Sequence, residues 1–98
     1  MELIQLSRDV VEGMPRGFAF LNDQLRRASS SVLLNYSEGF GRCSSKDRRH
    51  FFNIARGSAL EVSAILDVAR CHGAITESRH AEGLDLCDHI SAMLYRFR

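Results

Sequence analysis

The sequence predicts an all-α fold, an antiparallel up-down four-helix bundle formed as one domain over residues 1–98. Three observations carry that expectation. Apolar residues recur at intervals of three and four in four separate stretches. Short segments bearing Gly, Pro, Ser or Thr signals join those stretches, and short connections place consecutive helices antiparallel. No run of alternating β-branched residues reads as a strand.

The first helix is predicted over Glu2 to Glu12, with Leu3, Leu6, Val10 and Met14 on one face and Ile4 and Val11 beside them. Gly13 reads as its C-cap, with Pro15 shortly after to stop the chain continuing. A second, long helix is expected from Phe18 to Phe40, with the inward stripe Leu21, Leu25, Ala28, Val32, Tyr36 and Gly39. Gly41 to Ser45 forms the next loop. Ser44 followed by Asp47 makes a short capping box for a third helix from Ser45 to His72. Its stripe is Phe51, Ala55, Ser58, Val62, Ile65 and Ala69, and Gly73 follows as the natural C′ residue. Thr76 caps a fourth helix that presents Leu84, Cys87, Ile90, Ser91, Leu94 and Phe97, with Glu77 favourable in its first turn.

Composition limits the function classes. A chain of 98 residues that is 45% hydrophobic and 26% charged has the balance of a small globular domain, not of a disordered segment. The longest uncharged stretch, Ala28 to Ser37, holds four serines and is too short to span a bilayer, so no membrane partner is expected. Met1-Glu2-Leu3 opens no basic, then apolar, secretory leader. Three widely spaced cysteines, Cys43, Cys71 and Cys87, fit reduced thiols in a cytoplasmic protein. His72, His80 and His89 lie near two of them. Cys71 and His72 are adjacent, however, and diverge by about 100° on a helix, as a metal pair must not. No metal, cofactor or catalytic residue is therefore expected, and no enzymatic activity.

The third helix departs from the pattern of a lone bundle. With Ala55 and Val62 placed at the core, a step of about 100° per residue puts Gly57, Leu60 and Ala64 on the far side. The same arithmetic puts Phe20 and Leu34 of the second helix away from its inward stripe. A helix apolar nearly all round is buried on several sides, which in a small chain points to a second copy as partner. Phe20, Leu34, Gly57, Leu60 and Ala64 are the candidate oligomer interface.

Charge is uneven as well. Residues 16–56 hold eight cations against three anions, a net of +5, while residues 1–15 and 57–98 are each −2. Arg42, Lys46, Arg48 and Arg49 cluster at one loop, hence at one end of the bundle, and form a candidate phosphate-binding surface for RNA or DNA. No aromatic base-stacking pattern accompanies them in the sequence, which argues against sequence-specific readout. Asn35 and Glu38 on the second helix should face Arg56, Ser58 and Glu61 on the third. These five are a candidate structural polar network, in which Glu38 meets Arg56 or Arg42.

Two stretches resemble a known family. Gln24-Leu25-Arg26-Arg27-Ala28, Ser31-Val32 and Asn35-Tyr36-Ser37-Glu38-Gly39, followed by Gly41-Arg42, are similar to one signature of the four-helix bundle protein family, which includes proteins encoded in intervening sequences of bacterial 23S ribosomal RNA. The run from Phe51 to Glu61 resembles its second signature. Tyr36, Ser37 and Leu33 depart from the usual Ile, Ala and Pro, and Gly17 stands where Glu is frequent. The family is similar in fold to the accessory protein of diversity-generating retroelements, a pentameric barrel that binds nucleic acid and a reverse transcriptase. The resemblance implies a bacterial homo-oligomer, a pentamer, without enzymatic activity. Its partners would be itself, RNA or DNA, or a reverse transcriptase or other protein. The alternative function is a protein–protein scaffold that does not bind nucleic acid.

Overall fold

The computed structural model describes residues 2–98; Met1, the first residue of the predicted domain, lies outside the described residues. Four helices follow in order: α1 (Glu2–Gly13), α2 (Ala19–Phe40), α3 (Ser45–Cys71) and α4 (Glu77–Phe97). They pack into an elongated body of 45 × 20 × 18 Å. The hairpin α2–α3 is the spine, α4 lies against α3, and α1 packs across α2 and α4.

Local chemistry sets the helix ends. The Ser44 hydroxyl accepts from the backbone N–H of Asp47 at 3.3 Å, and the Thr76 hydroxyl accepts from that of Arg79 at 3.1 Å. Each satisfies an N–H that the first turn would otherwise leave without a partner. Gly73 adopts φ +69° just past α3, the left-handed conformation in which Gly avoids the Cβ penalty. Gly13 does not play the expected capping part. It closes α1 without a positive φ, and the left-handed turn residue is Gly17 at φ +94°.

The core follows the predicted stripes with local shifts. Leu3, Leu6, Val10, Leu21, Leu25, Ala28, Val32, Ala55, Val62, Ile65, Ala69, Cys87, Ile90 and Leu94 are buried. On α3, Phe52 and Ala59 are buried, and the predicted Phe51 and Ser58 are only half-buried. On α4, Phe97 is 57% exposed and Gly83 is buried in its place near the other end. Two glycines permit close helix approach. A Cβ at Gly39 would lie 2.7 Å from the Phe52 ring, and one at Gly83 would lie 2.4 Å from Leu66. Gly57 has nothing within 4 Å, so close approach inside the chain does not depend on it.

Helix lengths shape one end of the molecule. At about 1.5 Å per residue, the 12 residues of α1 span roughly 18 Å, against roughly 33 Å for the 22 of α2 and 31 Å for the 21 of α4. The first turns of α1 sit beside Ser29–Ser30 of α2 and Leu86–His89 of α4. The seam between α2 and α4 is thus covered only toward the α1–α2 turn. Toward the α2–α3 loop it stays open.

Candidate nucleic-acid interface

The four cations at the α2–α3 loop have distinct surroundings. Arg42 pairs with Glu38 one turn earlier on α2, and its guanidinium lies 4.9 Å over the Phe51 ring. Lys46 and Arg49 are exposed and form no ion pair among the described residues. Arg48 turns inward: its Nε is shielded from solvent without a hydrogen-bond partner, and its side chain lines a cleft. Arg96, absent from the sequence-based candidates, joins this end because α4 finishes there; its guanidinium lies 5.1 Å over the Phe97 ring.

The cleft occupies the open end of the α2–α4 seam. It measures about 380 Å³, within the range of about 300–1,000 Å³ typical of small-molecule clefts. Tyr36 and Phe40 of α2, Arg48 and Phe52 of α3, and Met93 and Phe97 of α4 line it, with Leu94 at its base. Tyr36 stacks on Phe52 (centroids 5.6 Å apart, planes at 20°) and approaches Phe40 at 6.0 Å. Phe40 is 72% exposed. Aromatic rings therefore do accompany the basic cluster, contrary to the sequence-based expectation. Tyr36, Phe40 and Phe52 flank the basic loop in the sequence and only Phe97 is remote from it, but that the rings meet in one cleft depends on how the helices pack. The signal that could have found them is the shortness of the first helix relative to its neighbours.

The five polar candidates divide into separate contacts. Asn35 Nδ2 donates to the Ser31 carbonyl at 2.9 Å and to its hydroxyl at 3.1 Å, and the Ser31 and Ser58 hydroxyls are 2.8 Å apart across the α2–α3 seam. Glu61 pairs with Arg27, which the sequence reading did not include. Glu38 meets Arg42, the second of its two expected partners, in an exposed pair. Arg56 is not in an ion pair; its guanidinium lies 4.7 Å over Tyr95, and its shielded Nε has no hydrogen-bond partner. No buried charge pair therefore sets the register of this seam among the described residues.

These contacts fix which apolar residues share the outer face. Arg27 meets Glu61 and Ser31 meets Ser58, so the antiparallel register sets Phe20 near the level of Val68 and Leu34 near that of Ile54. Phe20, Arg27 and Leu34 are seven residues apart and lie along one side of α2. Phe20 (54%), Leu34 (67%) and Leu60 (65%) are exposed, as are Gly57 and Ala64. Ile54 and Val68, which the sequence reading left out, continue the strip.

Cys43 and Cys71 are exposed and Cys87 is buried. Burial chiefly raises the Cys87 thiol pKa; a hydrogen bond with Ser63 opposes this and nearby Asp88 adds to it. No group of three or more His, Cys, Asp or Glu side chains that could hold a metal occurs among the described residues. No described helix is long and apolar enough to cross a membrane.

No curated protein matches the chain. The sequence model of one family does match, over residues 3–96, a span that takes in the four helices except Glu2 and Phe97, the basic loop, and the lining of the aromatic cleft other than Phe97. The chain belongs to the 23S rRNA-intervening sequence protein family.

Proposed function

We propose that this protein is a non-enzymatic, homo-oligomeric accessory that binds the phosphate backbone of nucleic acid through the α2–α3 end of the bundle. The observation that carries the reading is the cation cluster at that end, where Lys46 and Arg49 are exposed without carboxylate partners and Arg42, Arg48 and Arg96 lie close by. Membership of a family named for ribosomal RNA intervening sequences makes RNA the first nucleic acid to test. Self-association would use the outer face of the α2–α3 hairpin, where Phe20, Leu34, Leu60 and Val68 are exposed. A cyclic assembly, a pentamer in this reading, would repeat the cation cluster, and phosphate affinity grows with the number of contacts.

Titration of RNA binding against salt tests the reading. Affinity should fall steeply with salt, and reversing the charge of Arg42, Lys46 and Arg49 should abolish it. Absence of binding at low salt would refute it, leaving the exposed hairpin face to a protein partner in a scaffold without nucleic acid. Leu60→Glu should lower the native mass in light scattering without loss of helix. An unchanged mass would refute self-association through this face.

A further inference from the structure

We propose that the cleft between Phe40 and Phe97 receives an unpaired base of single-stranded RNA while Arg48 holds the adjoining phosphate. The inference rests on the phosphate-binding reading and adds an occupant of stated chemistry beside it. Three observations select that occupant. The cleft is walled by rings, with the face-to-face pair Tyr36–Phe52 continuing into the exposed Phe40. Bases of any identity stack on aromatic side chains because each has a π-face, so the site needs no hydrogen-bonding code. One cation lines the cleft itself: Arg48, whose Nε lacks a partner. A guanidinium binds phosphate through a planar fork of N–H donors, and no carboxylate among the described residues pairs with that of Arg48, which leaves it to an anion at the cleft mouth.

The surroundings agree in charge. Lys46 and Arg49 precede and follow Arg48 on the first turns of α3, and Arg96 stands over Phe97 on the opposite wall. A base with its phosphate is an apolar plate carrying an anion, and the cleft presents an aromatic slot beside cations. A paired base cannot enter, because its faces are already stacked and its edge is occupied, so duplex RNA should engage only the exterior cations.

The test compares a short unstructured RNA, the same strand with abasic residues, and an RNA duplex, each against the full chain at one salt concentration. The base-bearing strand should bind roughly 5- to 150-fold more tightly than the abasic strand. Phe40→Ala and Phe97→Ala should each erase part of that margin and leave abasic and duplex binding unchanged. Phe40→Trp should restore it. Both rings are exposed, so truncation should preserve the fold; unchanged helix content and native mass check this. Equal affinity for base-bearing and abasic strands would overturn the base site and leave phosphate binding standing. No binding of any of the three at low salt would overturn both. A lower native mass for Phe97→Ala would show that a second copy covers the cleft, which also overturns the base site.

Discussion

Replacing Gly39 with Ala sets two effects of known sign against each other. Gly39 lies in α2 without a positive φ, so the methyl group should favour the helix by about 1 kcal/mol. The same methyl would sit 2.7 and 2.8 Å from two atoms of the Phe52 ring and 3.0 Å from Phe51 Cβ. Phe52 is 2% exposed and stacked on Tyr36, so it can yield only toward the cleft and at the expense of that stacking. Overpacking of this kind costs about 1–3 kcal/mol, for a net loss of about 0–2 kcal/mol. Gly57→Ala gives the contrast. A Cβ there meets nothing within 4 Å, and the variant should gain the full helix term of about 1 kcal/mol. The two variants should thus differ by about 1–3 kcal/mol in urea unfolding followed by circular dichroism. For a chain of this size that is a gap in melting temperature of roughly 4 °C or more. Both should be measured at several protein concentrations, because assembly through the Gly57 face would add a concentration-dependent contribution. A Gly39→Ala chain about 1 kcal/mol more stable than the parent would refute the close approach of α2 and α3 at this point.

Three further outcomes follow from the contacts described. Arg56→Ala should cost only about 0.5–1 kcal/mol, the scale of a cation over one ring; a loss above about 3 kcal/mol in chemical denaturation would reveal a buried charge partner instead. Thr76→Ala should destabilise by about 1 kcal/mol through the lost cap, and an unmoved denaturation midpoint would count against that hydrogen bond. Cys43 and Cys71 should react quickly with a thiol reagent, and Cys87 only on unfolding. Because the folded chain holds the Cys87 proton more tightly than the unfolded chain, stability from this group is complete below the ordinary thiol value of about 8.5 and declines as pH rises above it. A Cys87→Ala chain should lose that part of the alkaline decline, and an identical pH profile would exclude it.

The helices and their caps were legible because each rests on local chemistry. Ser44 and Thr76 cap as predicted, and Leu21, Leu25, Ala28 and Val32 face inward at the expected spacing. On α3 the stripe was partly mis-phased, with Phe52 and Ala59 buried where Phe51 and Ser58 were expected. That helix is apolar nearly all round, so adjacent residues offer almost equal hydrophobicity to the core and only packing chooses between them. Gly39 illustrates the choice: its missing side chain leaves room for the Phe52 ring. The basic loop could be located from sequence, but not the directions its cations take. Arg48 turns toward the cleft because α1 stops short and leaves the α2–α4 seam open. That depends on how three helices of unequal length are aligned, which no single stretch encodes. The pairing of Glu61 with Arg27 was missed for the same reason, since it joins residues 34 positions apart.

The antiparallel register also divides the charge along the molecule. Taking the Ser31–Ser58 and Asp67–His80 contacts as guides to level, residues 30–58 and 88–98 make one half and residues 2–29 and 59–87 the other. The first half holds seven cations against three anions, a net of +4; the second holds six against nine, a net of −3. A formal total of +1 therefore conceals a strong electric dipole along a 45 Å axis. Near a polyanion such a body feels torque before it feels much net pull, and it swings its arginine-bearing tip forward while the acidic half trails. Orientation on approach is thus built into the connectivity of the helices, without the molecule having to be basic overall.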